Sequence, residues 1–366
     1  MTSLSEKLRL GGDFELGREV FQGPAQAKGY TNFLAPYSIY LDTGRSALLV
    51  IAIAIKQMGG TGKVWLPAYG CESISQAFLQ AGYQIEYYSV GIDLLGIPSA
   101  MPKAVLGDTV LFIHYFGHLN KMMLKHTPLY REEGVWVIED FVQAGLMKAP
   151  LMSGDFAITS YRKLLSSPDG AILASKIPID NLTKAVDIAP SDEAFVSAKV
   201  VAKIIRANNG NAKDFLSLIE SAEGSLSNSI VPRHMSWLSQ WIVSRLDISF
   251  IAAKRRENWI ALFAELQQLR LKGFITPLFG FLDEVEVPLG MPVKVMNGKR
   301  DALRDYLVQR NIFCPIHWDM SFLPNKKQFL VEVQLSSSLL TLPIDQRMTS
   351  EHIQHMMDSM MGFFRE

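Results

Sequence analysis

The chain has 366 residues, which at about 150 residues per domain predicts two domains rather than one packed core. Its composition, 48% hydrophobic and 20% charged, is typical of a folded protein and excludes a mainly disordered or collagen-like chain. Lys and Arg number 36, and Asp and Glu also number 36, so no overall charge would draw the chain to nucleic acid or to an acidic membrane.

Membrane insertion and secretion are not expected from the apolar pattern. The longest uninterrupted apolar run, residues 47–55, has nine residues, whereas a membrane-spanning helix needs about 20. Charges are scattered through the N-terminal segment, which therefore does not resemble a secretory signal. Cys71 and Cys314 are the two cysteines and lie far apart, which favours a reducing compartment and the cytoplasm.

The first half of the chain predicts an arm followed by a parallel α/β sheet. Residues 1–36 contain enough Gly and Pro to interrupt every regular period, and we interpret them as an N-terminal arm. The apolar runs that follow are VWLP (64–67), IEYYSV (85–90), TVLFIHYF (109–116), VWVIED (135–140), DFAITSY (155–161) and AILAS (171–175). Strands buried on both faces have this pattern. Helical intervals at 45–57, 71–81 and 120–133 fit crossover connections.

The second half predicts long amphipathic helices from about residue 190 to 271 and then a smaller α+β domain. Its expected strands are FLDEVEVPL (281–289), PVKVM (292–296) and QFLVEVQL (328–335), and its expected helices are 299–310 and 350–364. The predicted organisation is an arm at 1–36, a large domain at 37–245 and a small C-terminal domain at 246–366.

Ligands of parallel α/β sheets bind at the carboxyl ends of the strands, so the turns there are the first candidates for a site. The turn Asp42-Thr43-Gly44-Arg45-Ser46 leads into an apolar helix, and such a turn suits either phosphate binding or ordinary helix capping. The segment GGTGK at 59–63 is not a phosphate-binding Walker loop, because Val64 follows its lysine in place of Ser or Thr.

Two charged residues near strand ends could carry chemistry. Asp140 ends a buried strand, where it either meets a cation or a bound cofactor, or caps the next helix. Lys163 lies in a turn between two apolar runs, where it is either a nucleophilic amine or a solvated charge. The Ser160–Lys163 spacing also occurs in β-lactamases, but their other motifs are missing. His114 and His118 have no third metal ligand nearby, so no metal site is expected.

Taken in order, these segments resemble fold type I pyridoxal 5'-phosphate (PLP) enzymes, and in particular the DegT/DnrJ/StrS family of sugar aminotransferases. The resemblance covers about residue 37 to the end of the chain. Its segments are TGRSAL (43–48), LPAYGCESI (66–74), AGYQIEYYSV (81–90), VLFIHYFG (110–117), VWVIEDFVQA (135–144), GDFAITSYRKLLSSPDGAIL (154–173), AAKRRENW (252–259) and LLTLPIDQRMTSEHI (339–353). It implies an α/β fold with a mostly parallel sheet in the large domain and a smaller α+β domain.

The resemblance also implies roles for residues around the cofactor ring. Lys163 would bind PLP covalently and then act as the general acid and base. Asp140 would lie against the pyridine nitrogen and keep it protonated, with the cationic ring as its counter-charge. Gln143 would lie near the ring hydroxyl. Either Tyr69 or Cys71 would cover the ring, and we favour Tyr69.

The phosphate of PLP would be held at the helix start by Thr43, Gly44 and Arg45, with help from the Ser160 hydroxyl. Arg45 and Arg162 depart from the family pattern. Each could meet an anionic substrate or the phosphate, or could form an ordinary ion pair.

A further departure concerns the partner subunit. Many family members carry an Asn-x-Arg segment that reaches the phosphate bound by the neighbouring subunit. This chain has Val231-Pro232-Arg233 at the comparable place. Here that contact would be absent, or it would come from Asn228 or Ser229.

The implied activity is transfer of an amino group from an amino acid, with glutamate as the expected donor, to a keto sugar, expected to be nucleotide-linked. The implied context is polysaccharide or secondary-metabolite biosynthesis, and the implied assembly is a homodimer. Two alternatives stay open: a PLP enzyme of another reaction type, such as a dehydratase or lyase, and a non-catalytic relative that binds PLP or a nucleotide sugar.

Overall fold

A seven-stranded sheet forms the centre of the fold. The computed structural model describes residues 9–17, 20, 35–95, 101–147, 152–225 and 230–365. The strands of this sheet are β1 (Tyr37–Leu41), β2 (Lys63–Pro67), β3 (Gln84–Tyr88), β4 (Thr109–Ile113), β5 (Trp136–Asp140), β6 (Phe156–Ser160) and β7 (Ala171–Ser175). Their spatial order is β1-β7-β6-β5-β4-β2-β3. Only β7 runs antiparallel to its neighbours, so the sheet is mostly parallel, as predicted.

Each of the six apolar runs predicted as a strand contains one, and their burial explains why they were recognisable. All five residues of β4, β6 and β7 are buried. The additional strand β1 was not singled out, because it lies at the sheet edge and its first two residues are exposed.

Helices cover the sheet and include the three predicted crossovers. Those crossovers are α1 (Gly44–Gln57), α2 (Glu72–Gln80) and α3 (Lys121–Glu132). The long apolar run lies within α1, where residues 47–52 are all buried. The chain continues through α4 (Ile179–Thr183), α5 (Glu193–Ala207) and α6 (Ala212–Ser225).

Among the described residues, the predicted helical region from about 190 to 271 contains four helices: α5, α6, α7 (Trp237–Val243) and α8 (Ile248–Leu271). Asp247 separates α7 from α8, because its side chain accepts a hydrogen bond from the N–H of Phe250 and so caps a new helix. The predicted domain boundary at residue 246 falls in this break.

The C-terminal part contains a three-stranded antiparallel sheet of β8 (Ile275–Pro277), β9 (Met291–Val295) and β10 (Leu339–Leu342), with β9 in the middle. Helices α9 (Arg300–Val308), α10 (Leu330–Ser338) and α11 (Ser350–Arg365) accompany it. The strand in PVKVM and the helices near 299–310 and 350–364 are confirmed.

Two strand predictions in this region are wrong. The segment FLDEVEVPL forms a turn and no strand. The buried Glu286 carboxylate stabilises this turn by accepting hydrogen bonds from the N–H groups of Leu119 (2.9 Å) and Asp283 (3.0 Å). Most of QFLVEVQL is helical, in α10. Its buried residues Phe329, Glu332 and Leu335 recur every third position, whereas Leu330 is 68% exposed.

The described part of the predicted arm contacts α5 and the segment after α9. Leu10–Gly11 pairs in parallel with Ile312–Phe313, and Asp13 forms ion pairs with Lys199 and Lys203 of α5. The rest of the predicted arm lies outside the described residues, apart from residues 20, 35 and 36. Within the part of the chain that the structure describes, no helix has both the length and the apolarity to cross a bilayer.

Candidate active site

A cavity of about 260 Å³ lies at the carboxyl ends of β5 and β6. Eight of the nine residues predicted for the site line it: Thr43, Gly44, Arg45, Cys71, Asp140, Gln143, Ser160 and Lys163. The apolar side chains of Val142 and Ile158 also line the cavity. The fold thus brings together residues from four separate segments of the sequence.

Lys163 follows β6 in a single 3-10 turn, Tyr161–Lys163. Its side chain is exposed to the space of the cavity, while protein encloses it on the other sides. Burial, and after it the neighbouring Arg162 guanidinium, lower the pKa of Lys163. A larger fraction of the amine is therefore neutral and nucleophilic than for a lysine in water.

Asp140 is the last residue of β5 and is 4% exposed. Its Oδ1 accepts a hydrogen bond of 2.7 Å from the N–H of Val142. Among the described residues, no Lys, Arg or His side chain forms an ion pair with it, and burial raises its pKa to about 7. A cation placed beside this carboxylate would therefore be bound favourably.

Helix α1 directs its N-terminus at the same cavity. Thr43 caps it by accepting a hydrogen bond from the Ser46 N–H (3.2 Å), and the first turn holds no acidic residue. The first N–H groups of a helix have no partner within it, and the Thr43 side chain accepts a hydrogen bond from one of them. Capping by Thr43 is therefore compatible with anion binding by the others. Burial, followed by the nearby Arg162, lowers the pKa of Arg45, so two guanidinium groups lie close to this helix end.

Gln143 and Ser160 lie on the wall of the cavity and are both buried. The Gln143 Oε1 accepts a hydrogen bond of 2.8 Å from the N–H of Phe116, which leaves the amide N–H groups as donors. Phe116 has a left-handed φ of 53°, and Gly117 beside it has a φ of 90°. This unusual turn positions the Gln143 side chain.

Tyr69, which the sequence favoured for covering the ring, does not line the cavity. It is completely buried, with ring centroids 5.4 Å from Trp318 and 6.0 Å from Tyr115. Cys71 and Trp318 line the cavity instead. Trp318 had no local signal in the sequence, because it follows no buried strand.

Four further polar residues line the cavity: Ser73, Arg162, Glu223 and His317. The pKa of His317 is lowered to about 3 by burial and then by Lys163, so its imidazole is neutral near pH 7. Its Nδ1 lies 2.9 Å from the Thr341 hydroxyl. Sequence reasoning missed Glu223 and His317, since neither lies in a motif or after a predicted strand of the large domain.

The other two histidines considered in the sequence are paired with buried carboxylates. The His114 Nε2 lies 3.2 Å from Glu139, and the His118 Nδ1 lies 2.9 Å from Glu286. Both pairs are almost completely buried, and they link loops and strands of the fold.

Two segments of the resemblance, AAKRRENW and LLTLPIDQRMTSEHI, contact each other. Arg255 donates hydrogen bonds to the carbonyl of Leu289 (2.9 Å) and to the Gln346 Oε1 (3.0 Å). Asn258 donates to the carbonyl of Asp345 (2.9 Å). These motifs therefore join α8 to the segment after β10.

A second cavity, of about 480 Å³, adjoins the first. The described arm lines it with residues 11–14, and the two cavities share Arg162, Lys163, Glu223, Leu289 and His317. A molecule in the larger cavity would therefore have Lys163 in its wall.

No family model matches the sequence, and no curated protein matches it. Solved structures match the fold. The aminotransferase PseC from Helicobacter pylori, involved in the biosynthesis of pseudoaminic acid, is 12% identical with a TM-score of 0.69 over 98% of this chain and 100% of that one. NtdA from Bacillus subtilis, solved with bound cofactor PMP, is 17% identical with a TM-score of 0.66 over 97% of this chain and 79% of that one.

A DegT DnrJ EryC1 StrS aminotransferase from Brucella abortus is 15% identical, with a TM-score of 0.61 over 96% of this chain and 92% of that one. At these identities the similarity defines the fold. The chain has the α/β fold of type I PLP-dependent transferases, as the sequence predicted.

Proposed function

We propose that the chain is a PLP-dependent aminotransferase. The observation that carries this proposal is that Lys163 and Asp140 line one cavity together with the N-terminus of α1. The amine of Lys163 suits the aldehyde of PLP, and the carboxylate of Asp140, which has no cationic partner among the described residues, suits the pyridine nitrogen. The start of α1 suits the phosphate.

The residues fit this cofactor by their own chemistry. The buried Asp140 carboxylate has no ion pair among the described residues, and a protonated pyridine would supply the missing charge. Arg45 at the start of α1 suits the phosphate, and the apolar side chains of Val142 and Ile158 provide a surface for a planar ring. The Gln143 amide can donate to the ring hydroxyl, as the resemblance implies.

When bound, PLP supplies an aldehyde that links to amines and a ring that withdraws electrons. Lys163 would hold the cofactor covalently and, once released, its Nζ would accept and return the proton of the substrate carbon. The lowered pKa of Lys163 favours the neutral amine that this proton transfer requires. Asp140 would keep the ring nitrogen protonated, and its carboxylate would remain ionised beside that positive charge.

The proposed substrates are an amino acid, with glutamate as the expected donor, and a keto sugar that is expected to be nucleotide-linked. PseC is described as an aminotransferase in the biosynthesis of pseudoaminic acid, and the fold that it shares with this chain supports amino transfer in a biosynthetic pathway. The second cavity supports a sugar substrate, because its 480 Å³ next to Lys163 offers room for a molecule larger than an amino acid. We place the enzyme in the cytoplasm and in polysaccharide or secondary-metabolite biosynthesis.

We further propose a homodimer in which the partner contributes to each site. Asn228 and Ser229, considered for that contact, lie outside the described residues, and Val231 nearby is 47% exposed. Light scattering coupled to gel filtration would test this, and a monomer that is fully active would contradict it.

The deciding experiment is the visible absorption spectrum of the protein with PLP, before and after borohydride, followed by peptide mass analysis. We expect a reduced adduct on Lys163, which Lys163→Ala abolishes, while Lys213→Ala on an exposed helical lysine retains it. No adduct, or an adduct that survives Lys163→Ala, would overturn the proposed role.

Adding glutamate then distinguishes the reaction types. Amino transfer predicts stoichiometric conversion of the bound cofactor to its amine form, detected by mass. Release of ammonia would favour a lyase or dehydratase, and cofactor binding without conversion by any common amino donor would favour a non-catalytic relative.

A further inference from the structure

The ion pair between Arg162 and Glu223 lies where the two cavities meet. Both residues line both cavities, and Arg162 Nη1 lies 2.7 Å from Glu223 Oε1. Lys199 also donates to Glu223, at 3.1 Å. The pair therefore stands between the space proposed for the cofactor and the larger space beside it.

Arg162 has hydrogen-bonding capacity that this pair does not use. A guanidinium has five N–H donors, and the bond to Glu223 engages one of them. Its Nε is buried, and among the described residues no atom accepts a hydrogen bond from it. Leaving such a donor without a partner costs free energy, so an anion on this side of the guanidinium would be favoured.

The larger cavity carries an excess of positive charge. Besides Lys163, whose pKa is lowered, five cationic side chains line it: Arg162, Lys199, Lys203, Arg255 and Arg304. Three carboxylates oppose them: Asp13, Glu223 and Asp345.

Most of these cations already have strong partners. Lys203 is paired with Asp13 at 2.8 Å, and Arg255 donates to several carbonyl groups. Arg162 combines a position beside Lys163 with an unused buried donor, and this combination suits it to bind an anion.

We propose that Arg162 binds the carboxylate of the amino-acid donor and that Glu223, supported by Lys199, positions its guanidinium. This inference rests on the proposed aminotransferase function and names the residue that selects the donor. An α-amino acid carries its amine and its carboxylate on one carbon. Because Arg162 and Lys163 line the same two cavities, a carboxylate bound to Arg162 would bring the amine of the donor to the reacting end of the cofactor.

Arg162 could instead serve the phosphate of PLP, since Arg45 and the start of α1 are near. Because the carboxylate and the phosphate are both anions, the two possibilities are separated by measuring the affinity of the protein for each ligand. The phosphate alternative predicts that removing Arg162 weakens binding of PLP itself.

The first test measures binding of glutarate, an unreactive dicarboxylate, to the PLP-loaded protein by calorimetry. We expect Arg162→Gln to weaken glutarate binding about 10- to 100-fold, and Arg162→Lys to weaken it less because the charge is kept. Arg131→Gln, which removes an arginine that lines neither cavity, should leave the affinity unchanged. Unchanged glutarate binding in Arg162→Gln would refute the proposal, and so would a wild type that binds no glutarate.

The second test uses the same variants with PLP alone, followed by absorption. Arg162→Gln should bind PLP with an affinity within about threefold of the wild type, since the start of α1 and Arg45 remain. A loss of PLP affinity larger than tenfold would assign Arg162 to the phosphate and overturn the proposal, while the proposed function would stand. A wild type without any PLP adduct would instead refute the proposed function.

The third test compares glutamate with 4-aminobutanoate, which lacks the α-carboxylate. Arg162→Gln should lose most of its reactivity with glutamate and keep that with 4-aminobutanoate. Glu223→Gln should raise the half-saturating glutamate concentration about three- to tenfold with little change in the maximal rate, as expected of a positioning residue. Equal losses with both amines would contradict recognition of the α-carboxylate.

Discussion

Asp140 is a buried carboxylate at the end of β5, and its environment makes ionisation unfavourable in the protein without cofactor. Burial raises its pKa from 3.8 to about 7, against a single opposing hydrogen bond from the Val142 N–H. In the unfolded chain this carboxylate titrates near its ordinary value, so the folded state holds the proton more tightly. The stability of the cofactor-free protein should therefore fall as the pH rises from about 4 to about 7.

Asp140→Asn should remove this pH dependence. Because the variant has no charge to bury, we expect it to be more stable than the cofactor-free wild type at pH 8, by at most about 4 kcal/mol. At pH 4.5 the difference should shrink to about 1 kcal/mol, and urea unfolding at the two pH values measures both.

Two further results would check the interpretation of Asp140. PLP should stabilise the wild type at pH 8 more than it stabilises the variant, since only the wild type gains an ion pair. A cofactor-free Asp140→Asn protein less stable than the wild type at pH 8 would contradict the buried-charge argument.

At the scale of single elements, the short 3-10 turn Tyr115–Gly117 controls the position of Gln143. Gly117 has a φ of 90°, and a Cβ added there would lie 2.1 Å from the carbonyl oxygen of Val287. Only glycine fits, for conformational and for steric reasons. The turn thereby connects the cavity wall to the segment before β9.

Gly117→Ala should destabilise the protein by about 3 kcal/mol or more and should weaken PLP binding, because the turn that holds Gln143 must shift. Gly273→Ala is a matched control, since Gly273 also has a positive φ of 70° but has no atom within 4 Å of an added Cβ. It should cost about 1–2 kcal/mol and leave PLP binding unchanged. Thermal unfolding and PLP titration of both variants provide the comparison, and equal effects would contradict the steric argument.

At the scale of the whole molecule, ion pairs attach the arm to α5 and to the segment before the C-terminal helix. Asp13 contacts Lys199 and Lys203 of α5, while Glu15 contacts Arg206 of the same helix and Arg347 near the C-terminal helix. Burial alone would raise the pKa of Asp13, but the two lysines outweigh it and hold that pKa well below its usual range. Because the folded-state pKa is depressed, this stabilisation is present above about pH 4 and is lost as the pH falls further.

Asp13→Asn should therefore loosen the arm and destabilise the protein by about 2–4 kcal/mol at pH 7, since it leaves the buried Lys203 without its carboxylate partner. Limited proteolysis should cleave the arm faster, and the destabilisation should diminish below pH 4. Asp187→Asn, at an exposed aspartate, should change neither property. An arm equally resistant to protease in Asp13→Asn would show that other contacts hold it.

Much of the large domain was predictable because its information is local. Strands such as β4 and β6 are apolar at every position since both of their faces are covered, and a polar residue after such a run marks the strand end. Asp140 and Lys163 became candidates in this way, whereas Thr43 became one because a Gly-containing turn precedes the apolar helix α1. The strand prediction for QFLVEVQL failed because alternation and a three-residue period cannot be separated in so short a segment.

The mostly parallel sheet, its main helices and the residues at the ends of buried strands follow from the sequence, because apolar runs and the turns after them indicate burial residue by residue. Three-dimensional packing was needed to show that Glu223 and His317 line the same cavities as Lys163, that Tyr69 is buried and lines neither cavity, and that the arm borders the larger one. Those relations depend on how helices and loops from distant parts of the chain pack. Their amphipathic patterns specify a buried face but not the neighbour that covers it.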